Sequence, residues 1–201
     1  HLFYFYIYCK IIKNKININF MLLTTKRATK DQYYMNIAKE VAMRSTCFRA
    51  WHGAIIVKED QIISTGYVGA PRKTKDCFER GNCLRNKLNI PHGQQYELCR
   101  SVHAEQNAII NAARSGVSLL GGKMYLYSMI LNDNMEAHII DAAPCFICKK
   151  MIINAGISEV VAIQKDGSLK TSKVEDWVRD WQEKDLIDDK DQYSKNAQSN
   201  K

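Results

Sequence analysis

No stretch of this 201-residue chain is long and apolar enough to cross a membrane as a helix, and no internal repeat runs through it. The apolar run near its start has no basic segment before it and no small-residue cleavage site after it. These absences argue against a helical membrane protein, a repeat array and a secretory leader. Proline is scarce: Pro71 and Pro91 break a long irregular stretch, and Pro144 stands where a helix should begin. Cysteine is not scarce, but seven is an odd number, which fits a disulfide framework poorly and points to a reducing cytoplasm and thiolate chemistry. Hydrophobic content of 46% and charged content of 25% are ordinary for one globular domain with appendages.

Residues 1–20 lack Gly, Ala, Asp, Glu, Ser and Thr altogether. They are built almost entirely from residues with AT-rich codons, and the first methionine is Met21. The expectation is that 1–20 is a non-native upstream segment, that 21–187 is the domain, and that the polar residues 188–201 form a flexible tail. The segment supplies Lys10, Lys13 and Lys15 and no acid, so the remaining chain carries +5 of the total +8. That balance suits a small phosphorylated substrate and lacks the dense basic stripe that nucleic acid would require.

Hydrophobic periodicity predicts helices over 29–44, 102–115, 144–155 and 172–186, with capping boxes at Thr29/Gln32 and Ser172/Glu175. Tyr33, Tyr34, Ile37, Ala38 and Val41 form the expected apolar face of the first helix. Val174, Trp177, Val178 and Trp181 form that of the last, and this stripe reads as packing rather than binding. Strands are expected at 53–58, 61–67, 123–128 and 158–164, the first two joined by a tight turn at Glu59-Asp60. Residues 68–102 and 129–142 read as loops. Alternating helices and strands imply an α/β sheet with helices on both faces.

Two short segments carry the chemistry: His103-Ala104-Glu105, and Pro144-Cys145-Phe146-Ile147-Cys148. One imidazole and two thiolates suit Zn²⁺ and leave a coordination position for water, whereas a structural site closes all four. Zinc brings the pKa of bound water toward neutrality, and Glu105, which is not a ligand, can move protons. The H-x-E with P-C-x-x-C combination is the signature of zinc deaminases of nucleobases.

Further blocks make the chain recognisable. Arg44-Ser-Thr-Cys47-Phe-Arg49, Gly53-Ala-Ile-Ile-Val57, Ile62-Ile-Ser-Thr-Gly66-Tyr67, Cys83-Leu-Arg85, Glu97-Leu-Cys99-Arg100, Val102-His-Ala-Glu-Gln-Asn-Ala-Ile109 and Met151-Ile-Ile-Asn-Ala-Gly-Ile157 occur in order. With them the chain resembles the deoxycytidylate (dCMP) deaminase family. The resemblance implies a three-layer α/β/α cytidine deaminase-like fold with a central mixed sheet. It implies zinc held by His103, Cys145 and Cys148, with Glu105 as proton shuttle, converting dCMP and water to dUMP and ammonia. It implies base contacts from backbone near Ala104 and Pro144, and a homo-oligomer. Deamination of cytidine, deoxycytidine or a tRNA adenosine is the alternative, and a non-catalytic zinc protein of DNA uptake or regulation a further one.

The chain departs from the family twice. Gly66-Tyr67-Val68-Gly69 stands where the family has Gly-Tyr-Asn-Gly, a motif tied to nucleotide contacts including the effectors dCTP and dTTP. Valine offers no side-chain hydrogen bond there. Residues 129–142 are also longer than the usual connection and read as a solvated insertion.

Four cysteines remain near the long loop: Cys47, Cys77, Cys83 and Cys99. Four is the number a second, structural zinc needs, and some family members carry one in this region; burial as ordinary thiols is the other reading. For a monophosphate the candidate cations are Arg49, Arg80, Arg85, Lys73 and Lys75, with arginine suited to bidentate contact. Trp51 and Tyr67 are the candidate stacking residues, with core packing the safer reading for Tyr67.

Overall fold

The structure is a computed structural model that describes residues 27–91, 94–131 and 136–184. The expected upstream segment, Met21 and the expected tail lie outside the described residues. Contacts divide the chain after Lys30, and the fold below belongs to the second unit. Among the described residues no helix is long and apolar enough to cross a membrane.

A sheet of six strands forms the centre: β1 (Trp51–Lys58), β2 (Gln61–Tyr67), β3 (Lys123–Leu131), β4 (Ala137–Ile139), β5 (Glu159–Ile163) and β6 (Leu169–Lys173). Their spatial order is β2-β1-β3-β5-β6, with β4 paired to β3. Only β3 and β5 run parallel; the other pairs are antiparallel. A parallel pair needs a crossover, and helix α4 (Phe146–Asn154) supplies it. The other helices are α1 (Lys30–Ala42), the single turn α2 (Leu84–Lys87), α3 (Ala104–Arg114) and α5 (Val174–Glu183).

The β1–β2 hairpin turns through Glu59 and Asp60, both left-handed (φ 49° and 63°), as a two-residue turn matched to strand twist requires. Asp60 is held there by Tyr34, whose hydroxyl donates to its carbonyl (2.9 Å) and to its Oδ1 (2.7 Å). Two glycines mark where helices meet the sheet. Ala54 pairs with Gly66, so Gly53 and Gly66 face opposite sides of the pleat. A Cβ on Gly53 would overlap the Ala38 carbonyl and Ala42 amide of α1; one on Gly66 would overlap the Ala104 carbonyl and Ala108 amide of α3. Helices therefore cover both faces, with α4 packed beside α3 and α5 beside α4. The core between the layers is built from residues such as Met35, Ile55, Met124, Leu126, Ile152 and Val160.

Several expectations need correction. Residues 129–142 are not a plain loop: β3 continues to Leu131, and β4 folds back on it, pairing Met129 with Ile139. Burial of Met129 draws the strand on. Ser172 caps no helix, because it lies in β6 opposite Val160. The helix starts two residues later, after Lys173, without a side-chain cap. Pro144 precedes α4 rather than opening it. In α1 the buried set is Tyr34, Met35, Ala38 and Ala42, and Tyr33 is 54% exposed. The stretch 68–102 carries α2 and a 3-10 turn at Tyr96–Leu98.

Candidate metal centre

Two helices begin side by side, each with a ligand just ahead of its first turn. His103 is the N-cap of α3 and Cys145 the N-cap of α4, both with extended backbone (ψ 156° and 169°). The Gln106 side chain reaches back to accept the His103 backbone N–H (3.0 Å). Cys148 lies three residues beyond Cys145, the spacing that puts both sulfurs on one helix face. His103 Nδ1 stands 3.4 Å from Cys145 Sγ and 3.4 Å from Cys148 Sγ. Tetrahedral zinc, with Zn–S about 2.3 Å and Zn–N about 2.0 Å, asks for N···S separations of about 3.5 Å. The donor set and its spacing therefore fit Zn²⁺, and the carboxylate beside it, hydrogen-bonded to Cys148, stands outside that set.

That carboxylate is Glu105, second residue of α3 and 5% exposed. Burial pushes its pKa up, and the charge of Cys145 adds to the effect against the opposing pull of His103. The imidazole is drawn down by burial, yet the hydrogen bond with Cys145 and the charge of Glu105 outweigh this and leave it raised. The two thiols share a hydrogen bond. It and His103 pull Cys145 well below the usual thiol range, while Cys148 is held up. The site thus stabilises thiolate where a cation would sit and keeps a protonatable carboxyl next to it.

The remaining candidates divide. Ala104 is fully buried against Gly66 at the start of α3. Tyr67 is exposed at the end of β2, and its carbonyl accepts the Asn107 side-chain amide. Trp51 packs on the core and donates Nε1–H to the Cys47 carbonyl (2.9 Å). Arg49 donates to the Ile90 carbonyl (3.3 Å). Arg85 is buried and donates to the carbonyls of Pro91 (2.8 Å) and Gln94 (2.6 Å). Arg80, Lys73 and Lys75 are exposed. Val68 is 5% exposed and bonded through its backbone to His52 and Thr46.

Cys47 and Cys99 are partly buried, Cys77 and Cys83 buried, and all four are free thiols. They lie close enough to interact electrostatically: Cys47 with Cys83 and Cys99, Cys77 with Cys47 and Cys83. Burial pushes Cys47 and Cys77 up. Among the described residues, the one set of three donors lying within 4.8 Å of one another is His103, Cys145 and Cys148. The loop cysteines are neighbours without being drawn together to that spacing.

Sequence reasoning missed Tyr96, whose ring meets the His103 imidazole edge-on at 5.0 Å. No spacing signal marks it. Gln106 was legible as the N3 partner of a capping box, but histidine is not a usual N-cap.

A mixed sheet covered on both faces, with a Cys₂His set at two helix starts and a buried free carboxylate, defines a zinc-site domain of the cytidine deaminase-like fold. Residues 28–164 match the family model described as the cytidine and deoxycytidylate deaminase zinc-binding region, and the chain belongs to that family. The deoxycytidylate deaminase of Saccharomyces cerevisiae is 36% identical over 138 residues, covering 69% of this chain and 38% of that protein. That of Mycobacterium phage D29 is 32% identical over 136 residues, covering 65% of this chain and 91% of that protein. The chain thus spans about two fifths of the yeast relative's length and nearly all of the phage protein's. The crystal structure of the dCMP deaminase from cyanophage S-TIM5 in apo form is 27% identical, covering 67% of this chain and 82% of that one, with a TM-score of 0.48.

Proposed function

We propose that the chain is a zinc-dependent hydrolase that converts dCMP and water to dUMP and ammonia. The observation that carries this is Glu105, a buried carboxylate two residues from one ligand and outside the donor set. A zinc protein without catalysis has no need of it. The relatives named deoxycytidylate deaminase support dCMP over other amino-substituted bases.

Bound zinc supplies a water acidic enough to lose its proton near neutral pH. Glu105 would take that proton and pass it to N3 of the cytosine as the oxygen adds at C4, then take the proton of the new C4 hydroxyl and pass it to the amine, which leaves as ammonia while C4–O becomes the carbonyl of dUMP. Its burial suits a carboxyl that must hold a proton and release it. On this reading, backbone groups near Ala104 and Pro144 would contact the base.

The same reading covers a cytoplasmic homo-oligomer and a second, structural zinc among Cys47, Cys77, Cys83 and Cys99, which would draw these neighbouring sulfurs inward. Phosphate contacts fall to the basic residues around the long loop. Because Val68 offers no side-chain hydrogen bond where the family has asparagine, this reading expects dCTP and dTTP to leave the rate unchanged.

The test is ammonia release by the zinc-loaded chain from dCMP, dCTP, cytidine, deoxycytidine and a tRNA, with Glu105→Gln alongside. The reading expects turnover of dCMP, reduced about 10²–10⁴-fold in the variant with zinc retained. No turnover of dCMP, or full activity in Glu105→Gln, overturns it.

A further inference from the structure

Arg85 is 5% exposed, and among the described residues it forms no salt bridge. Its NH2 group bridges the carbonyls of Pro91 and Gln94 (2.8 and 2.6 Å), and its Nε is buried without a hydrogen-bond partner. Its central carbon lies 5.0 Å from the centroid of the Tyr96 ring, over the face. The same ring meets the His103 imidazole at 5.0 Å and 83°. Between the clamped Gln94 and Tyr96 stands Gln95, held at φ 48°. A residue other than glycine stays in that left-handed region where its surroundings impose it.

The geometry points to Arg85 and Tyr96 as positioning residues for the metal ligand His103. Arg85 fixes the backbone before Tyr96 and packs on its ring face, and Tyr96 braces the imidazole so that Nδ1 stays aimed between the two sulfurs. Among the described residues, the two sulfurs and this ring contact the imidazole directly, while Glu105 and Arg85 act on it through charge. Groups that orient a metal-ligating histidine typically govern metal affinity by about 10–100-fold. A lysine at 85 would keep the charge but could not bond two carbonyls while stacking on the ring. The inference rests on the zinc reading of the centre, not on which base is deaminated.

The experiment is competition for zinc against a chelator, together with the d–d spectrum of the cobalt-loaded protein, on the full chain. Arg85→Lys and Tyr96→Leu are expected to weaken zinc binding about tenfold or more and to shift the cobalt bands. Tyr96→Phe, which keeps the ring, should match the parent in both. Ile90→Val, buried in the same loop but off the column, should lower the unfolding temperature and leave zinc affinity unchanged. Parent-like zinc affinity and spectra in folded Arg85→Lys and Tyr96→Leu would overturn the inference whatever the substrate proves to be. Should Tyr96→Leu fail to fold, Arg85→Lys decides alone. A chain that fails to deaminate dCMP yet shows these losses keeps the inference and loses the substrate.

Discussion

Six cysteines lie among the described residues, and they live under two regimes. Cys145 and Cys148 ride on one helix start, one turn apart, and face an imidazole 3.4 Å away. Cys47, Cys77, Cys83 and Cys99 hang on irregular backbone: Cys83 ahead of the single turn α2, Cys99 behind a 3-10 turn. The first pair is gathered because helical geometry fixes the spacing of i and i+3 side chains. The second set depends on backbone that three arginines pin to carbonyls: Arg49 to Ile90, Arg85 to Pro91 and Gln94, Arg100 to Asn82. The electrostatics diverge too. Cys145 is pulled down by Cys148 and His103, whereas burial pushes Cys47 and Cys77 up. Regular structure thus favours a thiolate at Cys145 alone, while Cys148 is held up like the buried loop thiols.

The comparison breaks most visibly by losing one sulfur from each set. Cys148→Ser should release the catalytic zinc and abolish turnover. If the loop cysteines hold the proposed second zinc, Cys77→Ser should lower metal content by that ion alone and leave turnover in place. Elemental analysis beside the ammonia assay reads both, and equal losses of turnover would erase the distinction.

A smaller effect separates the two helical layers. Gly66→Ala and Gly53→Ala each force a Cβ into helix backbone, and overpacking of this kind costs about 1–3 kcal/mol. Only Gly66 abuts the helix that His103 caps. Both variants should unfold at lower temperature, but only Gly66→Ala should also weaken zinc binding.

The smallest effect lies away from both cysteine sets. Tyr34→Phe removes the bond to Asp60 and should cost about 1 kcal/mol at neutral pH, with zinc affinity unchanged. The hydrogen bond to Asp60, with burial behind it, raises the Tyr34 pKa from 10 to about 12. A raised tyrosine pKa means the folded state holds its proton longer, so this stabilisation is complete below pH 10 and is lost between about 10 and 12. Denaturant titrations across that window should show the parent losing the difference and Tyr34→Phe having none to lose.

His103, Glu105, Cys145 and Cys148 were legible because ligand spacing on helix starts is local chemistry. The β1–β2 hairpin was legible from two strand-like runs joined by a two-residue turn. What stayed hidden depended on neighbours distant in sequence. The segment LKTSK becomes β6 only because β5 offers it a ladder, and Ser172 looked like a cap for want of that partner. Met129 and Ile139 read as loop until their pairing is seen. Arg49 and Arg85 entered as phosphate candidates on charge alone, and the carbonyls of Ile90, Pro91 and Gln94 that they bond could not be seen in sequence. Tyr96 gave no signal because its role comes from the ring it touches.

The α3 helix also does something at the margin of the sheet. Asn107 and Asn111 donate side-chain N–H groups to the carbonyls of Tyr67 and Thr65 on β2 (2.8 and 2.7 Å), the terminal strand in the sheet order. An uncovered edge is a template for adding strands from another chain. Here two successive outward acceptors are already taken by amides of the helix that His103 caps. That stretch is thereby a poorer template for strand addition, and the same asparagines that tie the helix His103 caps to the sheet also blunt its edge.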